Sequence, residues 1–116
     1  LFAQGITPII CIDEATIKLQ LKEFFEQLKC IDHEQEYIIA YEPISAIGTG
    51  NVPSVEHLSK VFTKLNTLCK THPNPFRLLY GGSVHPENAA QLLHMKHVDG
   101  LLIGGASLKI ESFEAI

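Results

Sequence analysis

Four short apolar runs constrain the fold of this chain more than any other feature of its sequence. They are Ile9 to Ile12, Ile38 to Tyr41, Leu78 to Tyr80, and Leu101 to Ile103. None of them alternates between apolar and polar residues, which is the pattern of strands that are buried on both faces. Strands of this kind belong to parallel sheets, so the runs predict four parallel strands.

The segments between the runs have the three- and four-residue spacing of amphipathic helices. The first segment places apolar residues at Ile17, Leu21, Phe24, Phe25, Leu28 and Ile31. In the second, Ser54 is a predicted N-cap, and the apolar positions are Leu58, Val61, Phe62, Leu65 and Leu68. In the third, Pro86 suits a first helical turn, and we expect Ala90, Leu92 and Leu93 to face inward. Strands alternating with helices predict an α/β fold with right-handed crossovers, in one domain over residues 1–116.

Composition excludes several classes of function. Nine Lys and Arg against 13 Asp and Glu give a net charge of −4 without a basic stripe, so we expect no nucleic-acid or membrane partner. Cys11, Cys30 and Cys69 form no CxxC pair, which indicates a reducing, cytoplasmic setting and no zinc site. The six histidines are scattered, and we expect neither a metal nor a cofactor. The chain opens on Leu1 and has no leader pattern, so we expect a trimmed piece of a longer protein.

Glu42 is the first candidate for chemistry, because it follows the second apolar run directly. Sites in parallel α/β folds lie at the carboxyl ends of strands. A carboxylate at such a rim, partly shielded by apolar neighbours, is typical of a general base. A solvated or salt-bridged glutamate at a strand end is the alternative that position alone leaves open.

Two glycine pairs follow the last two runs, namely Gly81-Gly82 before Ser83 and Gly104-Gly105 before Ala106. Adjacent glycines let backbone N–H groups approach an anion, so the pairs could hold a phosphate, although both could equally be tight turns. The segment 46–50 has little side chain to hold it and is followed by Pro53 and a cap, which suits either a hinged flap over a pocket or a plain surface loop.

Four motifs together resemble the triosephosphate isomerase family over essentially the whole chain: "TPIICIDE", "AYEPISAIGTG", "LLYGGSV" and "GLLIGGASLK". The resemblance implies a (β/α)8 barrel, of which this chain would be the last four β/α units. It also implies isomerisation of dihydroxyacetone phosphate and D-glyceraldehyde 3-phosphate, in glycolysis and gluconeogenesis, by a homodimeric enzyme. A complete barrel, for which this family is the type example, takes roughly 250 residues.

The resemblance also implies roles for individual residues. Glu42 would be the catalytic base, and Pro43 through Pro53 would be the mobile lid. The substrate phosphate would be bound by Gly48, Ser83, Gly104 and Gly105. Closure of the lid would expel water and protect the enediolate.

Parts of the family's machinery have no counterpart in this chain. The family's Asn and Lys after the first strand are missing, and none of the six histidines matches its electrophilic His. Ser45 stands where most relatives carry the Trp of the lid hinge, and Pro53 stands where many donate a backbone N–H to the tyrosine matching Tyr80. We therefore expect the chain alone to be inactive and its lid to close less favourably.

Two other functions stay open at this point. One is a non-catalytic half barrel, a fragment or phosphate-binding module that self-associates through its open strand edges. The other is a different phosphate-binding barrel enzyme, since glycine pairs on the last two strands are common in this architecture. The Tyr41-Glu42-Pro43 sequence followed by a lid segment argues against the second.

Overall fold

The computed structural model of the chain describes residues 2–15, 17–46 and 51–116, and it shows a parallel four-stranded sheet. The strands are β1 (Ile9–Ile12), β2 (Tyr37–Tyr41), β3 (Phe76–Gly82) and β4 (Gly100–Ile103). Their order in the sheet is the order in the sequence, and every neighbouring pair is parallel. The predicted α/β class and all four predicted strands are thus confirmed.

Helices follow the strands along the chain. They are α1 (Ile17–Leu28), α2 (Val55–Cys69), α3 (Pro86–Leu93) and the short α4 (Ile110–Ala115), with 3-10 turns at Phe2–Gln4, Ile44–Ala46 and Gly105–Leu108. Ser54 caps α2 as predicted, because its hydroxyl accepts a hydrogen bond of 3.2 Å from the backbone N–H of His57. Among the described residues, every helix is too short or too polar to cross a lipid bilayer.

The core lies between the helices and one face of the sheet. This face carries alternate strand residues: Ile10, Ile12, Tyr37, Ile39, Tyr41, Phe76, Leu78, Tyr80, Leu101 and Ile103. Helix side chains that contact it include Leu21 and Leu28 of α1, Leu58, Phe62 and Leu65 of α2, and Leu92 of α3. Every second residue of the strands therefore packs against helix residues spaced three or four apart, and together they form one buried layer.

The opposite face of the sheet is also apolar, but apart from the fully buried Ala40 it lies outside the core. Its side chains are Ile9, Cys11, Ile38, Ala40, Leu79 and Leu102, together with Arg77. Ile9 is 49% exposed and Cys11 is exposed, whereas Ile38, Leu79 and Leu102 are half-buried. We call these residues the open face. The strands thus have a composition suited to burial on both faces of the sheet, whereas the described residues cover one face fully and the other only in part.

The prediction for α3 was partly wrong. Leu92 is buried as expected, but its partner on the inner face is Ala89, while Ala90 is exposed and Leu93 is 43% exposed. The helix carries two overlapping pairs at three-residue spacing, 89 with 92 and 90 with 93. Spacing alone cannot distinguish two such pairs, and only the packing of the helix on the sheet decides between them.

Candidate active site

Glu42 is the first residue after β2, and its backbone still pairs with β1. Its backbone N–H donates a hydrogen bond of 2.9 Å to the carbonyl of Ile12, so the last residue of β1 fixes the start of the loop. The side chain is half-buried. The next residue, Pro43, is buried, and its carbonyl accepts a hydrogen bond of 2.8 Å from the N–H of Ala46. Hydrogen bonds therefore hold the backbone at Glu42 and just after it, and the carboxylate projects from this fixed position.

Gly81 leaves the space in which the Glu42 side chain lies. A Cβ atom at Gly81 would stand 2.6 Å from Cγ and 3.2 Å from Cδ of Glu42. Both distances are shorter than the 3.5–4.0 Å of ordinary carbon contacts. The sequence alone indicates only that this glycine belongs to a turn, either a phosphate-binding one or a plain tight turn. In the structure the first glycine of the pair also accommodates the candidate base.

Cys11 is a neighbour of Glu42 that sequence reasoning missed. Partial burial, a hydrogen bond to the Glu42 side chain and the charge of that carboxylate, in this order, raise the pKa of the Cys11 thiol. Both residues also line a cavity of about 160 Å³. The register offered a signal, because Cys11 pairs with Ala40 and Glu42 lies two residues further along the chain, just past the end of β2. A thiol of raised pKa stays neutral and adds no second charge beside the candidate base.

A cavity of about 270 Å³ brings Glu42 together with one glycine of each pair. It is lined by Glu42, Gly82, Leu102, Ile103 and Gly104. Gly105, the next residue, begins the 3-10 turn, and a Cβ at Gly104 or Gly105 would meet no atom within 4 Å. There is thus open space on the side-chain side of both glycines, at the same edge of the sheet as the carboxylate. The cavity could take a small ligand with an anionic end at the glycines.

Ser83 connects this edge to the loop that follows Glu42. Its hydroxyl donates a hydrogen bond of 2.6 Å to the carbonyl of Ala46, and its own carbonyl accepts one of 2.7 Å from the Asn88 side chain. The Asn88 side chain also accepts a hydrogen bond of 2.9 Å from the N–H of His85, which joins the start of α3 to the network. Gly48, the predicted lid contact with the phosphate, lies outside the described residues.

Glu14 joins the end of β2 to the start of α2. Its Oε1 accepts a hydrogen bond of 2.8 Å from the Tyr41 hydroxyl and also contacts Nε2 of His57. The Tyr41 bond, and after it the His57 bond, lower the pKa of Glu14, while burial and the same carboxylate raise the pKa of Tyr41. Tyr41 precedes Glu42, and His57 lies in the first turn after the predicted lid. The Glu14 carboxylate therefore contacts one residue before and one residue after the predicted lid.

The Tyr80 hydroxyl has no hydrogen-bond partner within residues 2–15, 17–46 and 51–116, although Tyr80 is fully buried. Burial raises the pKa of this phenol. Gly82 lies close beside it, with φ of +146° and room for no more than a hydrogen, since a Cβ there would stand 2.7 Å from the Tyr80 oxygen. In the described part of the chain, no group of three His, Cys, Asp or Glu side chains could hold a metal ion.

The chain is similar in sequence to known proteins. The family model described as triosephosphate isomerase matches residues 1–116. Curated relatives of that name include proteins of Bdellovibrio bacteriovorus at 38% identity, Chelativorans sp. at 41% and Hyphomonas neptunium at 40%. Each alignment covers 97% of this chain but only 49–50% of the relative. The chain thus spans about half the length of the curated relatives it matches.

Proposed function

Because the chain belongs to the triosephosphate isomerase family, we propose that the protein carrying it interconverts dihydroxyacetone phosphate and D-glyceraldehyde 3-phosphate. The reaction would serve glycolysis and gluconeogenesis and would proceed by proton transfer through an enediolate. One observation carries the proposal: Glu42 shares a cavity at the carboxyl edge of a parallel sheet with Gly104, the glycine that follows β4. A base and an anion-binding backbone are the two parts that a phosphorylated substrate of this kind needs.

In this proposal each site residue has a defined role. Glu42 takes a proton from one carbon of the substrate and returns it to the adjacent carbon. Gly104 and Gly105, with Ser83, bind the phosphate through backbone N–H groups, and Gly48 joins them when the lid closes. Main-chain dipoles can bind a dianion without Lys or Arg, which fits the cavity, since its described lining residues include neither. The reaction transfers only protons, so the proposal includes no cofactor.

The chain supplies half of such a site. We propose that residues 1–116 form one domain, the carboxyl-terminal half of the barrel, and that the missing half carries the family's Asn, Lys and electrophilic His. Two features support this: the chain spans about half of its relatives, and the open face is apolar from Ile9 to Leu102. A barrel interior is filled by such side chains. The complete enzyme would be a cytoplasmic homodimer.

The lid of this protein should differ from that of most relatives. Ser45 is exposed in the 3-10 turn Ile44–Ala46 and cannot fill the volume of an indole. Pro53 has no N–H to donate to Tyr80, and the Tyr80 hydroxyl is buried without a described partner. Contacts of Glu14 with Tyr41 and His57 remain as the anchor of the segment. We therefore propose a closed state less favoured than in relatives having the donor.

The test is turnover of glyceraldehyde 3-phosphate by the complete protein that carries this chain, with the residue 1–116 polypeptide assayed beside it. We expect saturable isomerisation by the complete protein, competitively inhibited by inorganic phosphate. We expect negligible turnover by the polypeptide alone, because the electrophile that polarises the carbonyl is missing. No turnover by the complete protein would refute the proposed activity, and ordinary turnover by the polypeptide would refute the proposed division of the site.

A self-associating half barrel without catalytic activity is the second candidate. The open face favours it, together with the outer edges of β1 and β4, which have no strand partner in the described sheet. Edges and apolar faces of this kind favour pairing with another chain. Native mass spectrometry of the 116-residue polypeptide distinguishes the possibilities. A dimer would support self-association, whereas a stable, soluble monomer would indicate an independent module.

A further inference from the structure

Another cavity of the described chain lies away from the candidate active site, on the outer surface between α1 and α2. It is a groove of about 470 Å³, which falls within the usual size of small-molecule sites. Its lining residues are Lys18, Leu21, Lys22, Phe25, Glu26, Lys29, Lys64, Leu68 and His72. We call it the α1–α2 groove. Nothing in the proposed isomerisation uses it.

The floor of the α1–α2 groove is apolar and continuous. Leu21 is buried, and Phe25 and Leu68 are half-buried. The Phe25 ring stacks on the His72 imidazole with centroids 4.5 Å apart and an interplanar angle of 29°, which fixes a flat surface at one end. From Lys18 to Lys29 the groove runs along α1 and its C-terminal end for about 16 Å, at 1.5 Å per residue. Its shape therefore suits an elongated apolar group.

The rim of the groove is cationic in a chain that is acidic overall. Four of the nine Lys and Arg side chains line it, although the net charge of the chain is −4. Lys29 pairs with Glu26 at 2.9 Å, but Lys18, Lys22 and Lys64 form no salt bridge within the described residues. Lysine stems cover apolar surface while their ammonium groups stay in water. The rim thus offers positive charge above an apolar floor, with Glu26 attracted to both Lys29 and Lys22.

We propose that the α1–α2 groove binds a free, single-chain amphipathic anion of the fatty-acid type. The alkyl chain lies along the floor formed by Leu21, Phe25 and Leu68. The carboxylate meets the ammonium groups of Lys22 and Lys64, which reach the groove from the two helices. Charge complementarity selects the anion, and the length and apolar character of the floor select the chain. The inference does not depend on the proposed isomerase activity.

Calorimetric titration of the complete protein with laurate, below its micelle concentration, tests the proposal. We expect saturable binding of one laurate per chain that weakens as salt is added. The Lys22→Gln/Lys64→Gln double variant should bind about tenfold more weakly, since exposed ion pairs contribute up to about fivefold each. The matched control is Lys60→Gln/Lys96→Gln, which removes the same charge outside the groove and should leave binding unchanged. Amide shift changes in NMR spectra should fall on α1 and α2.

Several outcomes would overturn the proposal. These are the absence of saturable laurate binding, an equal loss of binding in both double variants, and equally tight binding of dodecyltrimethylammonium. Shift changes confined to the open face would place the ligand elsewhere and would count against the groove. Binding of anionic lipid vesicles without binding of laurate would indicate a membrane surface as the occupant, and it would also overturn the proposal.

Discussion

Substitution of Gly81 by alanine should displace the candidate base. The new Cβ would stand 2.6 Å from Cγ of Glu42, so Cγ must move by about 1 Å to reach an ordinary contact distance. Because Cγ is close to the backbone, the move requires a change at χ1 or a shift of the strand. Overpacking of this kind typically costs about 1–3 kcal/mol. A displacement of about 1 Å at a catalytic group can reduce turnover by about 100-fold.

A double-mutant cycle in denaturant isolates this contact. Gly81→Ala should destabilise the protein by about 1–3 kcal/mol when Glu42 is present. In a Glu42→Ala background the Cγ atom is gone, so the same substitution should be neutral or stabilising by up to about 1 kcal/mol. Gly100→Ala is the matched control, because the Cβ there meets only the flexible end of Leu79, at 3.0 Å. Effects of Gly81→Ala and Glu42→Ala that add to within about 0.5 kcal/mol would refute the reasoning.

Two further predictions concern the ends of the loop. Glu14 has a lowered pKa, chiefly through the Tyr41 hydroxyl, so its contribution to the free energy of unfolding is present at neutral pH and is lost as the pH falls through the lowered value. Glu14→Gln should cost less than about 1 kcal/mol at pH 7, and the cost should shrink as the solution is acidified, measured by denaturation; a cost that does not change with pH would contradict this. Pro53→Ala restores a donor for the Tyr80 hydroxyl, and Ser45→Trp restores the hinge ring. Each should favour the closed lid, by about 1 kcal/mol for the hydrogen bond, and unchanged exchange rates in relaxation dispersion of the complete enzyme would count against both.

The sequence predicted the strands well because each is a short apolar run bounded by turn residues. It predicted the start of α2 at Ser54, since the capping chemistry there is local. It did not predict which face of α3 is buried, because Ala89 with Leu92 and Ala90 with Leu93 have the same spacing. That choice depends on how the helix packs on the sheet, which no local pattern encodes.

The candidate site was predictable only in part. Glu42 and the glycines after β4 could be found from their places at strand ends, and the structure does bring Glu42 and Gly104 to one cavity. The contact with Cys11 and the space left by Gly81 depend on strand register and side-chain direction, which the sequence does not state. The sequence did not predict the α1–α2 groove for a similar reason. Its lysines are spread over two helices and form no run in the sequence.

The central claim is that Glu42 is the base that moves a proton on a triose phosphate. Its most direct test is turnover of glyceraldehyde 3-phosphate by the complete protein with Glu42→Gln, which keeps the size of the side chain and removes the carboxylate. General base catalysis typically contributes about 10²–10⁴-fold, so kcat should fall by at least about 100-fold while inorganic phosphate still binds as an inhibitor. Isomerisation at an undiminished rate by this variant would contradict the account.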